Sequence, residues 1–144
     1  MQIKINIIRI FLFSTLLIGS VGANDFRDTR EVSLQKDEQK KILVKYDSNE
    51  RLFKFRWTLY KNGGLVIHRS YDGVVAQNIL YLRHKNQSFK LELKPRGADF
   101  YQVPYVLVKF KEFDSEKKEA KFQIFLSDDK MQIELHDLKN VKER

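Results

Sequence analysis

Six consecutive residues, His68-Arg69-Ser70-Tyr71-Asp72-Gly73, are the densest run of reactive side chains in this 144-residue chain. A hydroxyl, an imidazole and a carboxylate are the parts from which a nucleophilic hydrolase site is assembled. Their spacing argues against it. His68 and Ser70 share parity on an extended segment, so they stand about 7 Å apart at a rise of about 3.4 Å per residue, beyond a direct hydrogen bond. No Gly-x-Ser-x-Gly elbow exposes Ser70. The run reads as a strand ending in a Tyr-Asp-Gly turn. An enzyme centred on His68, Ser70 and Asp72 is the third of three functional readings.

Other chemistry is as sparse. His68, His84 and His136 are 16 and 52 residues apart, which matches no compact metal-ligand spacing. The chain has no cysteine, which removes disulfides, thiolate metal sites and a cysteine nucleophile. Asp114, Glu116 and Glu119 lie in a Lys-rich loop, and Asp128-Asp129 lacks the spaced oxygen ligands of a calcium loop. No glycine-rich phosphate loop or dinucleotide fingerprint is present. The expectation is a non-enzyme with no cofactor and no metal.

Charge is more informative. The chain carries 27 Lys+Arg against 19 Asp+Glu, a balance of +8. Residues 51–111 hold twelve basic side chains against three acidic ones, +9, whereas 24–50 is −1 and 112–144 is −2. Lys54, Arg56, Lys90, Lys94, Lys109 and Lys111 all fall on the polar parity of their own segments. If segments 51–60, 88–94 and 103–113 lie in one sheet, these side chains form a cationic platform, with Tyr60 and Tyr105 beside it. Such a face concentrates anionic partners and speeds their encounter. The bland counter-reading is lysine keeping an open strand face soluble. The irregular stretch Pro95 to Pro104 adds Arg96, Phe100 and Tyr101, which either contact a partner or fold back over the end of the core.

The elements that must hold these groups read as strands. Phe53, Phe55, Trp57 and Leu59 share one face of 52–60, with Lys54, Arg56 and Thr58 on the other. The alternation recurs in 88–94, 121–126 and 131–135. Segments 74–83 and 105–113 are apolar on both parities over part of their length, which suits a central strand or a bend between layers. Asn62-Gly63 favours a type I′ hairpin turn, and Asp47-Ser48, Asp72-Gly73 and Asn86-Gln87 are further breaks. Strands are expected near 31–36, 41–46, 51–60, 65–70, 74–84, 88–94, 103–113, 120–127 and 131–136. Short connections make sequential strands antiparallel neighbours. The fold class is all-β: an antiparallel meander of about eight or nine short strands forming a small barrel or two-layer sandwich. A polar lead-in (24–30) precedes this β-domain (31–137), and a polar tail (138–144) follows it.

Ahead of the domain lies an address. Lys4 and Arg9 form a basic start, Ile10 to Ile18 an apolar run, and Gly19 to Ala23 a small-residue exit with Val21 and Ala23 at the −3 and −1 positions. The apolar run is shorter than the roughly 20 residues that span a bilayer. Retention as an N-terminal anchor is the alternative. Removing 23 of the 144 residues leaves a mature chain of 121 at +6 with no transmembrane helix, large enough for one core. An exported chain without cysteine suits a bacterial periplasmic or secreted protein. The leading reading is therefore a non-enzymatic exported β-domain that binds an anionic envelope component or another envelope protein through its basic sheet face. Nucleic acid is not an expected partner outside the cell. The alternative, suggested by a chain with eleven Phe and six Tyr, is a small barrel carrying an apolar, lipid-like ligand. N-terminal sequencing of the exported protein should begin at Asn24; a start at Met1 would overturn the cleavage.

Overall fold

The computed structural model describes residues 26–93, 103–128 and 131–142. Residues 1–23, read above as an address, and Lys94, Arg96, Phe100 and Tyr101 lie outside the described residues. All nine strands among the described residues pair antiparallel, with no helix between them. They are β1 (Asp28–Gln35), β2 (Glu38–Tyr46), β3 (Asn49–Lys61), β4 (Gly64–Tyr71), β5 (Val74–Tyr81), β6 (Ser88–Glu92), β7 (Tyr105–Asp114), β8 (Glu119–Ser127) and β9 (Ile133–Lys142). One sheet has the order β1-β8-β7-β6 and the other β5-β4-β3-β2-β9, so the arrangement is a sandwich. No described helix is long and apolar enough to cross a membrane.

The hairpins follow from their turn residues. Asn62 and Gly63 take φ of 53° and 77°, and Asp72 and Gly73 take 49° and 76°, the paired positive values a type I′ turn requires. These turns make β3, β4 and β5 neighbours in register. Gly64 leaves room for Tyr81, whose ring would stand 2.9 Å from any Cβ added there.

Short connections do not always make neighbours. Only Lys36 and Asp37 separate β1 from β2, yet the two strands lie in different sheets. Asp37 takes φ 63°, and the Glu38 carboxylate accepts the Gln35 N–H at 2.9 Å, so the chain turns a corner instead of a hairpin. β5 to β6 and β8 to β9 also change sheets. At the latter crossing the Arg27 guanidinium donates to Asp128 at 2.7 Å.

The core lies between the sheets and is built from the expected alternating faces. Phe53 and Phe55 of β3, Phe89 of β6, Phe110 of β7 and Phe122 of β8 are all buried. Their rings meet across the gap, Phe55 standing edge-on to Phe122 at 5.4 Å and to Phe89 at 6.3 Å, the geometry that the ring quadrupole favours. Arg69 caps this cluster with its guanidinium 5.0 Å over Phe89 while donating to Asn78 at 2.7 Å.

Two expectations about faces are corrected. The β3–β4 register slips between Trp57 and Leu59, so Thr58 is an extra residue and parity reverses beyond it. Leu59 therefore turns outward, 49% exposed, and Tyr60 turns inward to stack on Phe113 at 3.8 Å. Lys111 occupies a matching slip in β7 between Phe110 and Glu112. At the chain ends, β1 already begins at Asp28 within the lead-in, and β9 continues through the polar stretch read as a tail. Glu38 pairs with Lys142 at the far end of that ladder.

Trp57 links β3 to both β1 and β7. Its indole Nε1 donates to the Leu34 carbonyl on β1 at 2.8 Å. Its own carbonyl accepts the corner N–H of Asp37 at 3.0 Å. Its ring meets Phe113 of the opposite sheet edge-on at 5.5 Å. Trp57→Phe should lower stability by about 1–3 kcal/mol, since it leaves a buried carbonyl without its donor. Urea unfolding measures this, and an unchanged midpoint would show that the bond contributes nothing.

Candidate functional site

The three basic segments do not share a sheet. β3 lies in the five-stranded sheet, whereas β6 and β7 lie in the four-stranded one. Lys54 and Arg56 thus stand on one outer face of the sandwich, and Lys90 and Lys109 on the opposite one. Lys111 occupies the β7 irregularity. The single platform that the parity argument allowed is split in two, because three strands of like pattern were divided by the sheet change between β5 and β6.

The two faces differ in character. On the four-stranded sheet, register places Ser88, Lys109, Gln123 and Glu31 in one outward row and Glu92, Tyr105 and Ser127 in another. Lys121 reaches Glu112 at 3.5 Å, and Lys90 lies 4.3 Å over the Tyr105 ring. Positive charge here alternates with carboxylates and an aromatic ring, the mixture expected of a solvated face.

The five-stranded sheet has no such mixture at its centre. One outward row runs Leu138, Lys41, Lys54, Ser70 and Val75 across β9, β2, β3, β4 and β5. In the next, Arg56 pairs with His68 and His68 with Gln77. Neither row contains a carboxylate. Lys41 and Lys54 are direct cross-strand partners, an arrangement of like charges that costs stability. Neither has an ion-pair partner among the described residues, whereas Lys45 on the same face has Glu50 at 3.1 Å. Between them Gln39, Lys54, Arg56, His68, Ser70 and Val75 line a shallow depression of about 260 Å³. Gln39 is 8% exposed, and its side-chain oxygen is buried without a hydrogen-bond partner.

Apolar exposure falls on the same sheet. Leu52, Leu59, Val74, Val75, Ile79, Tyr81 and Leu138 are the large hydrophobic side chains exposed among the described residues, and all belong to β3, β5 or β9. The cationic rows are thus flanked by apolar contact area on one side of the molecule.

Two residues of this face carry no binding role in the sequence reading. Lys41 and His68 join Lys54 and Arg56 only through the β2–β3–β4 register, which the Asn62-Gly63 turn and the Asp47-Ser48 break already imply. His68 and Ser70 do line one depression. Asp72 instead sits in the β4–β5 turn and receives Arg51 at 3.1 Å. Burial pushes the neighbouring Tyr71 phenol up, with Arg51 partly opposing it. Where a carrier would need an open interior, the described centre is occupied by the packed phenylalanine rings. Among the described residues no three His, Asp or Glu side chains gather as metal ligands.

A second charge cluster has a different task. Asp137 of β9 receives Lys40 of β2 at 2.8 Å and Arg30 of β1 at 2.7 Å, and Arg30 also pairs with Asp28. The Lys40 side chain is only 10% exposed. The cluster bridges the edges of the two sheets and so belongs to the fold. Comparison of the chain with models of known protein families, with curated proteins and with solved structures finds no match.

The cluster makes stability depend on acid. Burial works against the Asp137 charge, but Lys40 and Arg30 more than offset it and hold the carboxyl below its ordinary value. A carboxylate depressed in the folded state stabilises fully above its unfolded value of about 3.9, and that contribution is lost as pH falls through the folded value. Asp137→Asn should cost about 1–2 kcal/mol at neutral pH, less than a fully buried pair because the site is partly solvated. The two proteins should converge in stability as the pH falls through the depressed value of the Asp137 carboxyl. Urea midpoints measured across pH check this, and parallel curves would refute it.

Proposed function

We propose that this protein is an exported, non-enzymatic binding module that engages an anionic component of the cell envelope through the outer face of its five-stranded sheet. The observation that carries the reading is the pair of carboxylate-free rows holding Lys41, Lys54, Arg56 and His68. Placing Lys41 directly opposite Lys54 is unfavourable in the free protein, and an anion above the sheet relieves that repulsion. The surrounding Leu52, Val75 and Leu138 supply apolar contact, so charge steers the encounter and the flanks lengthen it. Binding of this kind weakens as salt shortens the range of the field, which falls to about 8 Å at physiological ionic strength. Export of the chain rests on the N-terminal segment, and the cationic face does not depend on it.

The split between the two outer faces supplies the test. Retention on a heparin column, and sedimentation with vesicles containing an anionic lipid, are measured for two charge-reversed proteins. Lys54→Glu with Arg56→Glu should weaken binding by about tenfold or more and flatten its salt dependence. Lys90→Glu with Lys109→Glu, the same change in net charge on the opposite face, should leave most of the binding intact. Equal losses in the two proteins would reduce the effect to net charge and end the proposal.

A further inference from the structure

β5 is an edge strand whose composition suits a central one. Val74 to Tyr81 reads Val-Val-Ala-Gln-Asn-Ile-Leu-Tyr, with no charge and no proline. Its pairing with β4 runs from Val74 to Tyr81 without a register slip. A flat, uncharged, apolar edge is a template for a further strand, and natural sheets usually blunt it.

The other three edges are blunted. β1 carries Asp28, Arg30 and Glu31, with Arg30 turned toward Asp137. β6 has five residues, including Lys90 and Glu92. β9 carries Glu134, Asp137 and Lys139 and is irregular against β2 near Gln39. Only β5 lacks every one of these devices, and Val75 is 74% exposed and Ile79 44%.

Its open hydrogen-bonding groups can be located. The Tyr81 N–H points away from β4, because it donates to the Asn86 carbonyl in the following loop at 3.0 Å. Main-chain direction alternates along a strand, so Ile79, Gln77 and Val75 point the same way. No backbone bond from another described segment reaches these three.

We infer that β5 pairs antiparallel with β5 of a second copy of this chain, joining two five-stranded sheets into one. The strand is complementary to itself across a two-fold axis, being uncharged along its length and exposed at Val75 and Ile79. Asp72, already holding Arg51 at 3.1 Å, precedes β5, and Arg83-His84-Lys85 follows it. A two-fold axis near Gln77 or Asn78 brings the Asp72 end of each strand beside the Arg83–Lys85 end of the other. With the axis at Gln77, Val75 lies opposite Ile79 of the second copy, and two exposed apolar pairs form on the outer face. Both cationic faces then lie on the same side of the joined sheet, and a multivalent anion can engage them together.

The test uses protein recovered after export of the full-length chain. Sedimentation velocity over a range of concentrations should show a monomer–dimer equilibrium. Gln77→Pro removes only an outward N–H and should weaken dimerisation at least tenfold while the far-ultraviolet spectrum is retained. Ile79→Lys, at an exposed position, should do the same and carries the test if the proline variant does not fold. Lys54→Glu with Arg56→Glu should dimerise like the parent, which separates this interface from the anion-binding face. A protein that is monomeric at every concentration, or β5 variants that dimerise as tightly as the parent, would overturn the inference.

Discussion

The hydrogen bond from the Trp57 indole to the Leu34 carbonyl is the constraint on which the arrangement turns. A two-residue connection between strands would ordinarily close a hairpin. Here it must carry the chain from one sheet to the other, and the corner survives because its polar groups have partners. Leu34 gives its carbonyl to Trp57, Asp37 gives its N–H to the Trp57 carbonyl, and Gln35 gives its N–H to Glu38. With the corner in place, β1 is free to pair with β8 and β2 with β9, so both sheets are completed by strands from opposite ends of the chain. The extra residue at Thr58 then turns Tyr60 onto Phe113, which closes the core below the corner with aromatic surface.

The sandwich presents two unlike outer faces, and the difference has a simple origin. Each face collects whatever the outward parity of its strands supplies. The four-stranded sheet draws on the mixed-charge segments at 28–35 and 119–127, so its lysines meet carboxylates. The five-stranded sheet draws its centre from the basic middle of the chain and aligns cations from β2 and β3 without interruption. Asp137 and Asp72, two carboxylates of the same sheet, are engaged elsewhere, Asp137 in the inter-sheet cluster and Asp72 with Arg51. Electrostatic contrast between the faces is thus a product of topology as much as of composition.

Most of the strands were legible because each has one buried face, and burial imposes a period of two that the side chains cannot hide. The hairpins were legible because Asn62-Gly63 and Asp72-Gly73 suit positive φ at both central positions. Sheet membership was not. Lys36-Asp37 looks like any polar turn, and what makes it a corner is a tryptophan about twenty residues away. Nor were the register slips. Thr58 and Lys111 are polar residues at polar positions, so an alternation count runs through them and misplaces Leu59 and Tyr60. The continuation of β9 was hidden for a related reason, since a charged edge strand held by Arg30 and Lys40 resembles a solvated tail. For the candidate site, the outward direction of Lys54 and Arg56 was legible, whereas their distance from Lys90 and Lys109 depended on the sheet change. β5 failed in an instructive way: a strand apolar on both faces is normally enclosed, and this one is not.

The long-range pairing of the terminal strands has a consequence for how the molecule comes into being. β1 has no sheet partner until β8 exists, and β9 completes the sheet that β2 begins. Contacts of such sequence separation are slow to form, because loop closure must precede any gain from pairing. The first strand therefore waits unmatched while the hairpins from β2 to β5, and the corner that Trp57 holds, can already form. Neither sheet is complete until the β8 and β9 segments have joined it, so a chain caught before that point keeps open strand edges that another strand could occupy.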